Sequence, residues 1–280
     1  MTYRQLSLQV TSMLEAAEIE NFEVEAENLI LEVLDISRTD FSLKKLSSEE
    51  VAKEEFDRVI KATEKRAQHI PLQHITSRAY FRDLVLQVNP DVLIPRFETE
   101  ILVDEALKNL PVNGRLLDVG TGSGAIAISC ASERRDISVT AVDISPPALE
   151  TAEKNAELCN VDNITFKLSD LVSAVGENEK FDVVTANLPY VTNEEYETLQ
   201  REVKEHEPRL ALTAEEDGLQ LINRLCDELN RLLAQQGYAI LEMSPHQTQE
   251  VKNRLEKLGF SAGIINDYTG RARFVWAKKA

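Results

Sequence analysis

The sequence predicts an α/β fold, a mostly parallel sheet preceded by a helical segment. Three observations carry that expectation. Residues 115–130, RLLDVGTGSGAIAISC, read as a buried strand, a glycine turn and a helix. From there to the carboxyl end, short apolar runs alternate with helical patterns, which is the signature of a parallel sheet. Residues 1–70 instead place apolar side chains at helical spacing, with no strand-like alternation.

Taken in order, Leu6, Val10, Met13 and Ala17 share one face of a first helix. Ala26, Leu29, Ile30, Val33 and Leu34 make the face of a second. Ser48 is placed to cap a third, whose inward positions are Val51, Phe56, Val59, Ile60 and Ala67. Residues 80–88 alternate as a strand, Asn89-Pro90-Asp91 is a turn and 92–94 returns, so a β-hairpin is expected to join the helical part to the sheet. A helix starts at Glu98 or Thr99 and runs through Leu110. After the glycine turn come a strand at 137–142, a helix at 147–159 capped by Ser145, and strands at 164–168 and 181–186. A helix at 219–233, a strand at 237–243 and a helix at 248–258 ending on Gly259 follow. Strands at 261–265 and 273–277 close the chain, and their short connection makes them antiparallel. The expected boundaries are a helical amino-terminal domain at 1–78, a hairpin linker at 79–96 and a sheet domain at 97–280.

Composition excludes several classes. An apolar content of 43% is ordinary for a globular protein and too high for a disordered one. No stretch approaches a membrane span, and the start, MTYRQLSLQV, lacks the basic and apolar regions of a signal peptide, so a cytoplasmic protein is expected. The three cysteines, Cys130, Cys159 and Cys226, are odd in number and lie in apolar patterns, which suits reduced core thiols. His69, His74, His206 and His246 have no metal-ligand spacing, and no metal is expected. A net charge of −17 opposes binding to a phosphate backbone and suits a small molecule or a basic protein partner. Residues 1–35 hold eight acidic side chains and one basic one, Arg4, which makes either a solvated face or a docking surface.

The glycine turn and the strand ends carry the chemistry. Gly120, Gly122 and Gly124 let a ligand approach the backbone, and the helix that follows offers N–H groups at its start. Asp143 ends the next strand, 19 residues after Gly124, where a carboxylate can accept both hydroxyl protons of a ribose. Gly120-x-Gly122-x-x-Ala125 fits both a dinucleotide fingerprint and a loop that holds S-adenosylmethionine, and the glycines do not decide between them. Asp143, Asp170 and Asn187 follow three strands and so face one crevice. Asn187-Leu188-Pro189-Tyr190 favours amino-group methylation. The Asn oxygen can accept one N–H of a planar acceptor and the next backbone carbonyl the other, while Pro189 stiffens the loop and Tyr190 offers a flat face.

With these residues in view, the chain resembles the PrmC (HemK) family, which methylates the side-chain amide of a glutamine in bacterial peptide-chain release factors. The resemblance rests on PLQHI at 71–75, IPRFETE at 94–100, LLDVGTGSGAIAIS at 116–129, AVDISPPAL at 141–149, SDL at 169–171, NLPY at 187–190, EMSPHQ at 242–247 and DYTGRARFV at 267–275. It implies a class I S-adenosylmethionine-dependent methyltransferase fold with a Rossmann-like, seven-stranded, mostly parallel sheet, a helical amino-terminal substrate-recognition domain and a β-hairpin linker. It assigns the cofactor to Gly120, Thr121, Gly122, Ser123, Gly124, Asp143, Asp170, Leu171 and Asn187. It assigns catalysis and the substrate glutamine to Asn187, Leu188, Pro189 and Tyr190. The implied cofactor is S-adenosyl-L-methionine, with S-adenosyl-L-homocysteine as product, and the implied partners are release factors, with neither nucleic acid nor membrane.

The sequence departs from the family pattern N-P-P-Y at Leu188, which keeps the backbone carbonyl but loses one fixed φ; His74, Ser77 and Met243-Ser244 are further departures. Two alternatives share the site: a nucleic-acid amino methyltransferase, and a cofactor-binding protein with turnover reduced by Leu188.

Overall fold

A computed structural model of the chain describes residues 1–214 and 217–280. The chain forms two compact units, Met1–Ser77 with Gln200–His206, and Arg78–Leu199 with Glu207–Ala280.

The first unit is helical. Its helices are α1 (Tyr3–Ala16), α2 (Phe22–Leu34), α3 (Arg38–Leu46), α4 (Lys53–Arg66) and α5 (Leu72–Thr76). Thr2 begins α1 with a capping box: its hydroxyl accepts the Gln5 N–H at 3.3 Å and Gln5 Oε1 accepts the Thr2 N–H at 2.9 Å. The buried stripe of α1 is Tyr3, Leu6, Val10 and Leu14, and it meets Ala26, Leu29 and Ile30 of α2 and Val59 of α4. Leu14 takes the place expected for Met13, because residues four apart stack on one face more closely than those three apart on this helix. Ser48 does not cap a helix. It sits at φ +56° in the turn after α3, and α4 starts five residues later behind Ala52. The short helix α3 buries Phe41 alone, too little to leave a periodic trace in the sequence.

The second unit begins with a hairpin, β1 (Arg78–Phe81) and β2 (Leu84–Gln87), paired antiparallel with Phe81 opposite Leu84. The hairpin thus turns at Arg82-Asp83 rather than at Asn89-Pro90-Asp91, and 92–94 forms no strand. Arg82 adopts φ +52°, and its guanidinium is held by Glu133 and Asp104 at 2.6 Å each, so tertiary ion pairs fix a turn that carries no glycine. A 3₁₀ turn at Phe97–Thr99 leads into α6 (Glu100–Asn109).

The main sheet follows as β3 (Arg115–Val119), α7 (Ala125–Glu133), β4 (Ser138–Asp143), α8 (Pro146–Leu158), β5 (Ile164–Leu168) and β6 (Phe181–Ala186). Three short helices come next, α9 (Asn193–Glu197), α10 (Arg201–His206) and α11 (Arg209–Leu212), of which α10 lies within the helical unit. There, Arg66 donates to Glu25 at 2.9 Å and to Glu202 at 3.1 Å. The chain ends with α12 (Gln220–Leu232), β7 (Leu233–Glu242), α13 (Thr248–Lys257), β8 (Ser261–Asn266) and β9 (Ala272–Lys278). The strand order is β5-β4-β3-β6-β7-β9-β8, parallel except for β9, which pairs antiparallel with both neighbours. This is the Rossmann-like sheet of a class I methyltransferase.

Both faces of the sheet are buried, which is why its strands read as continuous apolar runs. Leu117, Val119, Val184 and Leu241 face one cluster with Leu225 and Leu229 of α12 and Val251 of α13. Leu116, Val139, Val183 and Ile240 face another with Leu102 and Ala106 of α6 and Ile128 of α7. Among the described residues no helix is long and apolar enough to cross a membrane.

Gly124 is where the turn meets this core. It adopts φ +84°, and a Cβ there would lie 2.6 Å from Ile128 Cδ1 and 3.2 Å from Ala152 Cβ. Gly124→Ala is therefore expected to destabilise the protein by about 2–5 kcal/mol, from backbone strain and overpacking together. Urea unfolding of parent and variant measures it.

Candidate active site

Register brings the strand ends together. Val119 of β3 lies opposite Val142 of β4 on one side and opposite Ala186 of β6 on the other. Gly120, Asp143 and Asn187 are the next residues along these strands, so they emerge side by side. Asp143 pairs in turn with Leu168 of β5, which brings Ser169 and Asp170 to the same edge. These residues line a cavity of about 480 Å³, within the ordinary range for small-molecule sites. Its walls include Gly120, Thr121, Gly122, Ser123, Asp143, Asp170, Leu171, Asn187, Leu188 and Pro189, together with Thr99 and Arg96.

The glycine turn is tied down by its neighbours. Gly120 and Thr121 both donate their N–H to the Val142 carbonyl, at 2.9 and 3.0 Å. Asp143 accepts the Gly122 N–H on Oδ2 at 2.8 Å and the Ser145 N–H on Oδ1 at 2.9 Å. A carboxylate has about four acceptor sites, so with the Ile144 N–H also facing it some capacity remains for a ligand's hydroxyls. Burial raises the Asp143 pKa, and these backbone N–H groups oppose the rise. Gly122, at φ +55°, faces open space: a Cβ there meets nothing within 4 Å. Asn155, fully buried on α8, donates to the carbonyls of Ser123 at 2.9 Å and Gln87 at 3.0 Å, joining turn to hairpin.

Asp170 reaches the cavity but shares an ion pair with Arg224 at 2.9 Å. Leu171 adopts φ +49°, an unusual conformation for a non-glycine residue and one that clusters at ligand sites. Leu188 does more than present a carbonyl. Its side chain is buried and lies against Gly120, its Cδ2 2.9 Å from where a Gly120 Cβ would stand. Tyr190 is not brought to the cavity wall. Its hydroxyl lies 3.4 Å from Glu242 Oε1, and burial followed by the Glu242 charge raises its pKa. Asn187 points its Nδ2 at the Thr99 hydroxyl, 3.2 Å away, which leaves its Oδ1 as the acceptor a ligand can meet.

Comparisons with known proteins place the chain in a family. The family model described as the methyltransferase small domain matches residues 97–242, and the one described as the PrmC N-terminal domain matches residues 5–76. A release factor glutamine methyltransferase from Deinococcus radiodurans is 36% identical over 282 residues, covering 100% of this chain and 99% of that protein. The chain belongs to the release factor glutamine methyltransferase family. A relative of the same description from Koribacter versatilis is 37% identical, again covering 100% of this chain and 99% of its own. Among solved structures, a methyltransferase from Pyrococcus furiosus shares the fold at a TM-score of 0.54 and 21% identity, covering 71% of this chain and 90% of that one.

In this member of the family two buried groups sit behind the cavity that residue types alone did not single out. Glu207 accepts the Ile94 N–H at 3.0 Å and pairs with Arg96, clamping the segment that precedes Phe97. Glu242, at the end of β7, accepts the Thr99 hydroxyl on Oε2 at 2.8 Å. Both Thr99 and Glu242 lie in segments that carry the family resemblance, at 94–100 and 242–247, but no spacing rule links residues 143 positions apart.

Asp118 lies directly under the glycine turn and is fully buried. Its Oδ1 accepts the Thr185 hydroxyl at 2.8 Å, and the Thr121 hydroxyl and the Ala127 N–H also face the carboxylate. Burial, with a smaller push from Asp143, raises the carboxyl from 3.8 to about 6. The folded state therefore holds a proton that the unfolded state has already lost, so this group's contribution to stability falls as pH rises between those two values. In Asp118→Asn the Oδ1 still accepts from Thr185 and the new Nδ2 faces the Thr121 oxygen. Its unfolding free energy is expected to gain on the parent's with rising pH, by about 1–3 kcal/mol once pH exceeds about 7. Urea titrations at a series of pH values read the difference; a parallel pH dependence in both proteins would contradict it.

Proposed function

We propose that this chain transfers the methyl group of S-adenosylmethionine to the side-chain amide nitrogen of a glutamine in a peptide-chain release factor. One observation carries the reading: Asn187 opens on the cavity with its Nδ2 committed to Thr99, so that an acceptor oxygen stands beside the glycine turn. An acceptor there suits an incoming NH₂ group, and the family relatives are named for glutamine methylation.

The residues fit the cofactor. Gly120 and Gly122 line the cavity, with Gly122 open to a ligand's approach while Gly124 packs on the core; Asp143 keeps acceptor capacity for ribose hydroxyls, and Asp170 with Leu171 lines the neighbouring wall. When bound, S-adenosylmethionine supplies an activated sulfonium methyl. An amide nitrogen is a weak nucleophile, because its lone pair is delocalised into the carbonyl. The work of the chain is accordingly to orient. Asn187 Oδ1 and the Leu188 carbonyl accept the two amide protons, hold the nitrogen toward the methyl and stabilise the positive charge that develops on it. Pro189 stiffens the loop, and the buried Leu188 side chain fixes its height over Gly120. Tyr190 supports the loop from behind through Glu242. The acidic helical unit is the surface on which a basic protein substrate would be recognised.

Methyl transfer from radiolabelled S-adenosylmethionine to a release factor, and to a factor with the acceptor glutamine replaced, tests the reading. Label in the first and none in the second is expected. Transfer to nucleic acid instead would overturn it. Asn187→Ala is expected to lower kcat by about 100-fold, and Asn187→Asp by less, because a carboxylate still accepts N–H. In calorimetric titration, Asp143→Ala is expected to bind S-adenosylmethionine at least 10-fold more weakly, about 1.4 kcal/mol, through unpaired ribose hydroxyls and a loosened Gly122. An Asp143→Ala protein with parental affinity would remove that carboxylate from the cofactor site.

A further inference from the structure

Glu242 is a buried carboxylate with no direct place at the cavity wall, yet it heads a continuous chain of hydrogen bonds that ends there. Its Oε2 lies 2.8 Å from the Thr99 hydroxyl, and that hydroxyl lies 3.2 Å from Asn187 Nδ2. Thr99 and Glu242 are both buried. A hydroxyl has one proton to give, so the direction of the chain is set by its far end. An ionised Glu242 accepts and cannot donate. Thr99 must then give it the hydroxyl proton, which leaves the Thr99 oxygen to accept, and what it accepts is an Asn187 N–H. The Asn187 amide is thereby held with Oδ1 away from Thr99. A protonated Glu242 can donate to Thr99. The hydroxyl proton is then free to turn toward Asn187, and the flipped amide, with NH₂ where the acceptor stood, is no longer excluded.

We propose that Glu242 is a positioning residue, which acts through Thr99 to fix the face that the Asn187 side-chain amide presents to the substrate. The proposal rests on the reading of Asn187 as the acceptor for the substrate amide. It also explains why a carboxylate is buried here at all. An unneeded buried charge would cost more than a neutral side chain, whereas Gln could both donate and accept and would leave the chain without a direction.

Four groups face Glu242 from the elements around it. Thr99 and Glu98 come from the 3₁₀ turn, Tyr190 from the loop after β6 and Arg273 from β9. Burial raises the Glu242 carboxyl to about 7, with Thr99, Arg273 and Tyr190 opposing the rise and Glu98 adding to it. Arg273 is itself neutralised by Asp267 at 3.1 Å, which limits its pull. The protonation change that lifts this constraint therefore falls near neutral pH.

The test has two arms on the full-length protein. In the first, the Asn187 side-chain NH₂ signals of ¹⁵N-asparagine-labelled protein, assigned by Asn187→Ala, are followed against pH without substrate. Signals that titrate with a midpoint near 7 in the parent, and no longer do so in Glu242→Gln, are expected. Signals that do not move, or that move equally in the variant, overturn the proposal. In the second arm, Glu242→Gln is expected to lower kcat by about 10-fold or more, with KM for the release factor and affinity for S-adenosylmethionine within about 2-fold of parent. The parental rise of kcat with pH is expected to flatten. Thr99→Val should show the same loss and Thr99→Ser should recover most of it, and this pair carries the arm should Glu242→Gln fold poorly. A parental kcat in both Glu242→Gln and Thr99→Val overturns the proposal. A parent protein that methylates no release factor would fail the proposed function instead, and the first arm would still decide the direction of the hydrogen-bond chain.

Discussion

The structure depends on the parallel register of three strands. β3 sits between β4 and β6, with Val119 level with Val142 and with Ala186. That register is set by apolar packing on both faces of the sheet, through Leu117, Val184 and their α12 neighbours on one side and Leu116, Val183 and α6 on the other. Slipping one strand by one residue would exchange the faces of all its side chains, so the core enforces the alignment. The alignment in turn makes three separate loops into one site. The glycine turn, Asp143 and Asn187 are held to one edge by tens of buried side chains that take no part in chemistry.

The site built on that edge is supported by polar groups, most of them buried. Asp143 bonds the Gly122 and Ser145 N–H groups and so shapes the turn it was expected merely to face. Asp118, Thr185 and Asn155 form a layer below. Glu207 and Glu242 hold the segment from Ile94 to Thr99 from the other side. Each of these carboxylates is costly to bury, and hydrogen bonds to its oxygens offset part of that cost, which sets fixed dipoles around a reacting group in place of mobile water. Such preorganisation suits a reaction in which the nucleophile is weak.

Leu188 shows how a departure in sequence is absorbed by packing. As a residue in a loop it loses a fixed φ relative to proline. In the fold, its side chain is 5% exposed and covers Gly120, so contact replaces covalent stiffness as the source of rigidity. Tyr190 shows the reverse. Its aromatic face suited the substrate by type, but its hydroxyl is drawn to Glu242 and the ring leaves the cavity wall.

What the sequence determined by itself was local or periodic. The strand, glycine turn and helix at 115–130, the alternation that follows and the antiparallel last pair were all legible, because each depends on residues a few positions apart. The positions of Asp143 and Asn187 on one cavity were legible for the same reason, each standing at the end of an apolar run. Tertiary structure alone decided the rest. The hairpin turns at Arg82 because Glu133 and Asp104 hold that guanidinium, although Asn89-Pro90-Asp91 has the stronger turn composition. Ser48 has the chemistry of a cap, but the chain around it closes α3 instead. Thr99 and Glu242 meet because α6, which Thr99 leads into, packs against β7, and no property of either residue records that 143 positions of chain return to within 2.8 Å. Periodicity reports which face of an element is buried; it holds no information on which two buried polar atoms will share a proton.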